Sequence, residues 1–277
     1  MKTILITGAS SGIGKAAALK FAANGWNVIA TMRSPEKETA LSALQNVMVT
    51  KLDVQDGQSI RQAIQSGIEQ FGKIDTVLNN AGYMVIGAFE LATDQQIHKQ
   101  FDINVFGVMN VTRAILPHFR NNQSGTIINV TSTGGRITFP ACSLYHATKF
   151  AVEGFSESLA YELLAQGIKV KIVEPGSTQT NFVAAASLTS NPAIPDYDEF
   201  IKKALETYIK IDTMQSEVEL IAGVIYAAAT DDTDRLRYMA GKDTEVYFGL
   251  RQTGTDQEYV DRMRESFIPE TLNAQKK

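Results

Sequence analysis

The run Tyr145-His146-Ala147-Thr148-Lys149, with Ser132 thirteen positions ahead of the tyrosine, holds side chains that can move a proton. If the stretch from Ser143 onward is helical, Tyr145 and Lys149 stand at i and i+4, one turn apart on one face. A phenol left alone titrates near ~10, and a neighbouring ammonium favours its phenolate. The pair therefore reads as a proton donor and acceptor working near neutral pH, provided Lys149 stays charged. Ser132 adds a hydroxyl able to donate a hydrogen bond to a substrate oxygen. Tyrosine and lysine four apart occur in many helices, so the weight of this pair depends on the elements around it.

Those elements alternate. Residues 2–7 read as a short buried strand, Gly8 to Gly14 as a glycine-rich turn, and Ile13 to about Asn24 as a helix closed by Gly25. Further strands are expected over 28–31, 47–52, 76–78, 125–131 and 170–173, with a short one near 237–240. Ser34-Pro35 looks like a helix start, and Ile60, Ala63, Ile64, Ile68 and Phe71 form one helical stripe. A long helix is expected from about Thr93 to Pro117, and the Tyr145 helix carries Val152, Phe155, Leu159 and Leu163 along one side. Alternation without a linker predicts an α/β fold: a Rossmann-like, doubly wound parallel sheet of about seven strands, with helices on both faces. Residues 1–277 read as a single domain. Residues about 176–215, with Pro192 and Pro195, break the rhythm and are expected to form a substrate loop. A further helix is expected over about 216–230, and about 243–277 reads as a polar C-terminal extension.

Thr7-Gly8-Ala9-Ser10-Ser11-Gly12-Ile13-Gly14 follows the first expected strand and opens the first expected helix. Glycines let a backbone turn tightly against a pyrophosphate, whose charge meets the helix N-terminus. The spacing is G-x-x-x-G-x-G rather than the commoner G-x-G-x-x-G. Composition is that of an ordinary globular chain, with 44% hydrophobic and 20% charged residues, which argues against disorder. A net charge of -4 and the lack of a basic cluster argue against nucleic acid as a partner. The single cysteine cannot form an internal disulfide and fits a reducing compartment. The apolar run at the N-terminus is too short for a signal-peptide core or a membrane span, so a cytoplasmic protein without a membrane partner is expected.

The glycine motif, Asn79-Asn80-Ala81-Gly82, Asn104, Ser132, Tyr145-x-x-x-Lys149 and Pro175-Gly176 occur in an order and spacing that resemble the short-chain dehydrogenase/reductase family. The resemblance runs motif by motif from residue 3 to about 180 and is loose beyond. It implies that Tyr145 is the catalytic acid and base. Lys149 would hold the nicotinamide ribose and lower the tyrosine pKa, and Ser132 would orient the carbonyl. Asn104 would hold a water linking the lysine to solvent; an asparagine in mid-helix also disfavours regular hydrogen bonding. Gly8, Ser10, Ser11, Gly12, Ile13 and Gly14 would cradle the dinucleotide. Asp53, with Val54 beside it, would meet the adenine, and Asn80, Ala81 and Gly82 would lie near the adenosine ribose. Pro175, Gly176, Thr178 and Thr180 would line the nicotinamide side, with Thr180 on the carboxamide; Thr178 replaces a usually apolar residue. The family is also commonly oligomeric, so a homodimer or homotetramer is implied.

The end of the second strand decides the cofactor type. An NAD-preferring chain places a carboxylate there to accept from the ribose 2′-hydroxyl. This chain offers Thr31-Met32-Arg33, with no carboxylate and one guanidinium suited to a phosphate. NADP(H) is therefore expected ahead of NAD(H), although Ser11 stands where some NADP-preferring relatives carry a second basic residue. The C-terminal third lacks the Asp-Gly-Gly many members carry and resembles the branch containing 17β-hydroxysteroid and retinol dehydrogenases. That implies a bulky or apolar carbonyl or alcohol substrate, for which Phe182, Val183 and Leu188 could supply a wall.

Other reactive side chains read as bland. His146 points about 100° around the helix from Tyr145. His98, His118 and Cys142 show no metal-ligand spacing, so no metal is expected. Two rivals to an oxidoreductase remain: a dinucleotide-binding regulator without turnover, and an isomerase or dehydratase on the same fold. The first needs the glycine turn but not Ser132, Tyr145 and Lys149 together. The second would keep its cofactor tightly bound.

Overall fold

Runs such as Thr3-Ile4-Leu5-Ile6 and Gly125-Thr126-Ile127-Ile128 have few polar side chains to show to water, and as strands they need cover on both faces. The computed structural model, which describes residues 1–211 and 214–269, provides it. Seven strands, β1 (Thr3–Ile6), β2 (Asn27–Met32), β3 (Val47–Lys51), β4 (Thr76–Asn79), β6 (Gly125–Val130), β7 (Ile168–Pro175) and β9 (Arg237–Ala240), form one sheet. Their order is β3-β2-β1-β4-β6-β7-β9 and every pairing is parallel. This is the Rossmann-like, doubly wound sheet expected from the sequence.

Helices α1 (Gly12–Ala23) and α7 (Val218–Thr230) cover one face, where Ala17, Ala18, Phe21, Ile221 and Ile225 pack on Ile4, Val28 and Ile128. Helices α2 (Gly57–Phe71), α4 (Gly107–Asn121) and α5 (Ser143–Leu163) cover the other, burying Ile60, Val111, Ile115, Phe119 and Leu159 against Leu5, Val77 and Ile127. Chain order reverses between β1 and β4, so the crevice at the carboxyl ends of those strands is where this fold binds ligands.

Four local expectations are corrected. Ser34-Pro35 opens only a 3₁₀ turn, Pro35–Lys37, and the serine makes no capping hydrogen bond. The expected helix from Thr93 to Pro117 is two helices, α3 (Asp94–Phe101) and α4, joined by a π-helical turn, Asp102–Phe106, and Pro117 lies inside α4. The expected loop over 176–215 contains a two-residue strand, β8 (Ser187–Leu188), paired with β5 (Val85–Ile86), and a helix, α6 (Asp198–Ile211). The polar extension holds two helices, α8 (Lys242–Gln252) and α9 (Asp256–Phe267), while 212–213 and 270–277 lie outside the described residues.

A buried polar chain sets α5 against the sheet. Asn79 Nδ2 on β4 donates to Asn129 Oδ1 on β6 at 2.8 Å, and Asn129 Nδ2 donates to Ser156 Oγ on α5 at 2.8 Å. In a dry core such bonds are costly to leave half-made. We expect Asn129→Ala to lower the urea midpoint by the equivalent of about 2 kcal/mol with an unchanged m-value, since it strips one partner from each neighbour.

Candidate active site

β1 ends at Ile6 and the chain must turn at once into α1. Gly8 has φ +69 and Gly12 φ +53, conformations that side chains rarely adopt. Gly14 has no room for one: a Cβ there would lie 2.3 Å from the Gly8 carbonyl oxygen. Asn80 Nδ2 donates to the Thr7 and Gly8 carbonyls at 3.0 and 3.1 Å, while Thr7 Oγ1 accepts from the Asn80 and Ala81 amides at 2.9 and 3.1 Å. Asn80 thus fastens the turn rather than pointing away from it. The N-cap of α1, Ser11, is exposed and makes no side-chain cap, so the first amides of the helix keep their pull on an anion.

The proton-moving groups meet at the neighbouring strand ends. Ser132 follows β6 and opens a 3₁₀ turn, Thr133–Gly135, with its Oγ accepting from the Gly134 amide at 3.0 Å. Its hydroxyl also stands near enough to the Tyr145 phenol to pull that phenol's pKa down. Lys149 Nζ lies 5.7 Å from the Tyr145 ring centroid and donates to the Val130 carbonyl at 2.9 Å. The spacing therefore brings Ser132, Tyr145 and Lys149 together.

Asn104 stands in the π-helical turn, where the helical ladder is already broken. Its side chain takes the Tyr83 amide and gives to the Tyr83 carbonyl, both at 2.8 Å, and gives to Thr148 Oγ1 at 3.1 Å. It ties the segment after β4 to the helix bearing Tyr145.

The electrostatics correct one expectation. Burial pushes the Tyr145 phenol up to about 12, against the opposing pull of the Ser132 hydroxyl. Burial also lowers Lys149 to about 8, opposed by the Glu153 carboxylate. Desolvation outweighs the expected drop in the phenol, so at neutral pH Tyr145 is a neutral proton donor beside an ammonium.

Around the crevice, Arg33 is exposed just past β2 and has no ion pair among the described residues. Further along the same loop, Glu38 is engaged by Lys15 of α1 at 2.9 Å and by the Leu41 amide at 3.0 Å. Asp53 is half-buried after β3 and accepts from the Gln55 amide at 3.0 Å; Val54 is buried against Gly107. Gly82 faces the Phe182 ring, and Thr180 lies against Gly12, so segment 180–182 spans from the glycine turn toward Tyr145. Pro175 ends β7, Gly176 packs on Asp243, and Thr178 Oγ1 donates to the Gly176 carbonyl at 3.0 Å. Ser10 is exposed, and Ile13 is half-buried against the α1 side of the core.

Beside Tyr145 the walls are apolar. Ile86, Ala141, Cys142, Ala204 and Phe267 are buried with it, and Phe182 and Phe200 pack at the margin. A cavity of about 340 Å³ opens between Ala141, Ser143 and the α6 side chain Phe200. Tyr197 OH donates to Glu90 Oε2 across it at 2.5 Å. Among the described residues no group of three or more His, Cys, Asp or Glu could hold a metal, and no helix is long and apolar enough to cross a membrane.

Comparison with known proteins gives the same picture. The family model for short chain dehydrogenases matches residues 2–191. An uncharacterized oxidoreductase of Schizosaccharomyces pombe is 42% identical over 229 residues, covering 83% of this chain and 96% of the relative. A short-chain dehydrogenase from Streptomyces avermitilis superposes with a TM-score of 0.79 at 35% identity, covering 95% of this chain and 99% of that one. ElxO, solved with NADP bound, matches at TM-score 0.71 and 29% identity, covering 86% of this chain and 97% of that one. More distant structures sharing the fold were solved with 5-hydroxy-NADP, with NADH and with NAD.

Several contributors escaped the sequence reading. Thr7 sits inside the glycine motif but was not singled out as its fastener. Glu153 lies one turn beyond Lys149, a spacing visible in the sequence, and accepts from Thr131 Oγ1 at 2.6 Å and Arg237 Nε at 3.0 Å. Glu174, fully buried at the end of β7, accepts from Arg136 Nη1 at 3.3 Å, and its Oε2 has no partner among the described residues. Burial first and the Glu153 charge second raise Glu174 to about 7, against Arg136 and Arg237. A carboxyl raised on folding contributes stability that is full below its ordinary 4.5 and lost as pH rises through about 7. Glu174→Gln should therefore unfold at higher urea than the parent at pH 8, by at most about 2–3 kcal/mol, with the two converging as pH falls toward ~4.5.

Proposed function

The chain belongs to the short-chain dehydrogenase/reductase family of oxidoreductases, and we propose that it interconverts a carbonyl and an alcohol with NADP(H), on a bulky or apolar substrate. The observation that carries this is the Tyr145 phenol, set between the Ser132 hydroxyl and the Lys149 ammonium, at the strand ends next to the glycine turn. The crevice suits a dinucleotide: Gly8 and Gly12 turn the chain at positive φ straight into α1, and the uncapped α1 amides and Arg33 suit phosphates. When bound, such a cofactor gives or takes the hydride at its nicotinamide ring.

The chain's own part is acid–base and electrostatic. Ser132 Oγ and Tyr145 OH both donate toward the carbonyl oxygen, fixing it and polarising the bond. In reduction the phenol gives its proton to the forming alkoxide, and the Lys149 charge steadies the phenolate left behind. Segment 180–182 and α6 keep water from the apolar side of the crevice. The reductive direction suits a phenol that is protonated at neutral pH, and the walls of Ile86, Phe182 and Phe200 favour a substrate with apolar groups flanking the carbonyl.

Two outcomes test this reading. Tyr145→Phe should lower kcat about 10³-fold or more while NADPH binding, followed by fluorescence, stays within about twofold; near-normal turnover would remove Tyr145 from the reaction. Arg33→Glu should shift the ratio of kcat/KM for NADPH over NADH at least about tenfold toward NADH, because a carboxylate repels a 2′-phosphate. An unchanged ratio would remove Arg33 from cofactor choice.

A further inference from the structure

The C-terminal helix α9 is almost wholly solvated; among its residues only Tyr259 and Phe267 are buried. Both go to one place. Tyr259 OH donates to the Thr138 carbonyl at 2.8 Å, and the Phe267 ring lies 6.5 Å from that of Phe139. Residues 138 and 139 belong to the loop that starts at Ser132 and runs to α5.

That loop needs holding, since its residue Ala141 adopts φ +62, a conformation unfavourable for a side-chain-bearing residue. From below, His146 Nδ1 lies 2.8 Å from the Gly134 carbonyl, and His146 Nε2 accepts from the Phe139 amide at 2.9 Å. Those roles fit a neutral ring with its proton on Nδ1. From α8, Thr244 bonds Thr133 at 2.8 Å and the Phe248 ring lies 4.5 Å from the Arg136 guanidinium. Both α6 itself and α9 tie this loop to the cover of the crevice. Phe267 packs edge-on to Tyr208 of α6 at 5.2 Å, Thr207 Oγ1 donates to the Ser266 carbonyl at 3.0 Å, and Tyr208 OH itself donates to the Pro140 carbonyl at 2.7 Å.

We propose that α9 is a working part of the active site, in which Tyr259 and Phe267 position the turn carrying Ser132 and couple it to helix α6 over the crevice. Tyr259 bonds the loop backbone and is a positioning residue acting through the Ser132 turn, while Phe267 also packs in the apolar group around Tyr145. Of its remaining side chains only Met263 packs inward, half-buried against the same two apolar groups. A substrate with an apolar group seated under α6 would thus press on the same helix that sets the serine. This rests on the oxidoreductase reading for its catalytic consequence, but the mechanical coupling stands on contacts alone.

The test uses the full chain with Tyr259→Phe, which deletes one hydroxyl, Phe267→Ala, and Val260→Ala as an exposed control on the same helix. Amide hydrogen exchange over residues 133–141 and 200–208 reads the coupling without any substrate. Tyr259→Phe should speed exchange over 133–141 about tenfold. Phe267→Ala should speed both segments, and Val260→Ala neither. NADPH affinity should stay within about twofold in all three, while Tyr259→Phe lowers kcat about tenfold with KM less changed. Exchange over 133–141 unchanged in Tyr259→Phe would overturn the coupling, and raised exchange with unchanged kcat would overturn the positioning role. If Phe267→Ala fails to fold, Tyr259→Phe still decides both. A parent protein that binds NADPH and reduces no carbonyl, yet shows loop exchange sensitive to Tyr259→Phe, would sink the functional reading while upholding the coupling.

Discussion

A lysine ammonium that is 7% exposed sets the terms for the rest of this molecule. Removing such a charge from water costs several kcal/mol unless its donors are met. Lys149 meets the Val130 carbonyl at the end of β6, where a parallel strand leaves the sheet and its last carbonyl comes free. Glu153 supplies the opposing charge from one turn along the same helix. The lysine is thereby pinned where strand meets turn. Tyr145, one turn before it, must face Ser132, which leaves the same strand end two residues after Val130.

The demand spreads outward. α5 can present Tyr145 and Lys149 only if its register on the sheet is fixed, and the Asn79–Asn129–Ser156 chain fixes it inside the core. The glycine turn next door is held in the same manner, by Thr7 and Asn80 trading bonds across the ends of β1 and β4. Two neighbouring crossings of one sheet therefore carry two rigid half-sites, one suited to phosphates and one to a carbonyl. The cover is less deeply anchored, with α6 resting on an apolar group of side chains and α9 reaching over the Ser132 loop.

The sheet was readable in the sequence because parallel strands buried on both faces leave near-continuous apolar runs, and every expected main strand appears within a residue or two. Tyr145 and Lys149 were readable as a pair from helical spacing, and the family resemblance joined Ser132 to them. What escaped depends on tertiary contacts. An asparagine in mid-helix hinted at a break near Asn104, but the π-helical turn there goes with side-chain bonds to Tyr83 and Thr148 that lie far off in sequence. α6 follows Pro192 and Pro195, and those prolines concealed the stripe of Phe200, Ala204 and Tyr208. α9 buries only two side chains, so its composition reads as a tail, although Thr255 and Glu258 form a capping box that marks its start. Spacing reports the charge beside Tyr145 and says nothing of desolvation, which raises the phenol.

The central claim is that Tyr145 and Ser132 serve a hydride transfer between a nicotinamide and an apolar carbonyl compound. The most direct measurement supplies NADPH deuterated at nicotinamide C4, in each stereoisomer separately, with a panel of ketones and aldehydes bearing apolar groups. The account predicts an alcohol carrying deuterium on its carbinol carbon, from one stereoisomer only. Tight NADPH binding with no label in any alcohol would contradict it and favour a dinucleotide-binding protein without turnover.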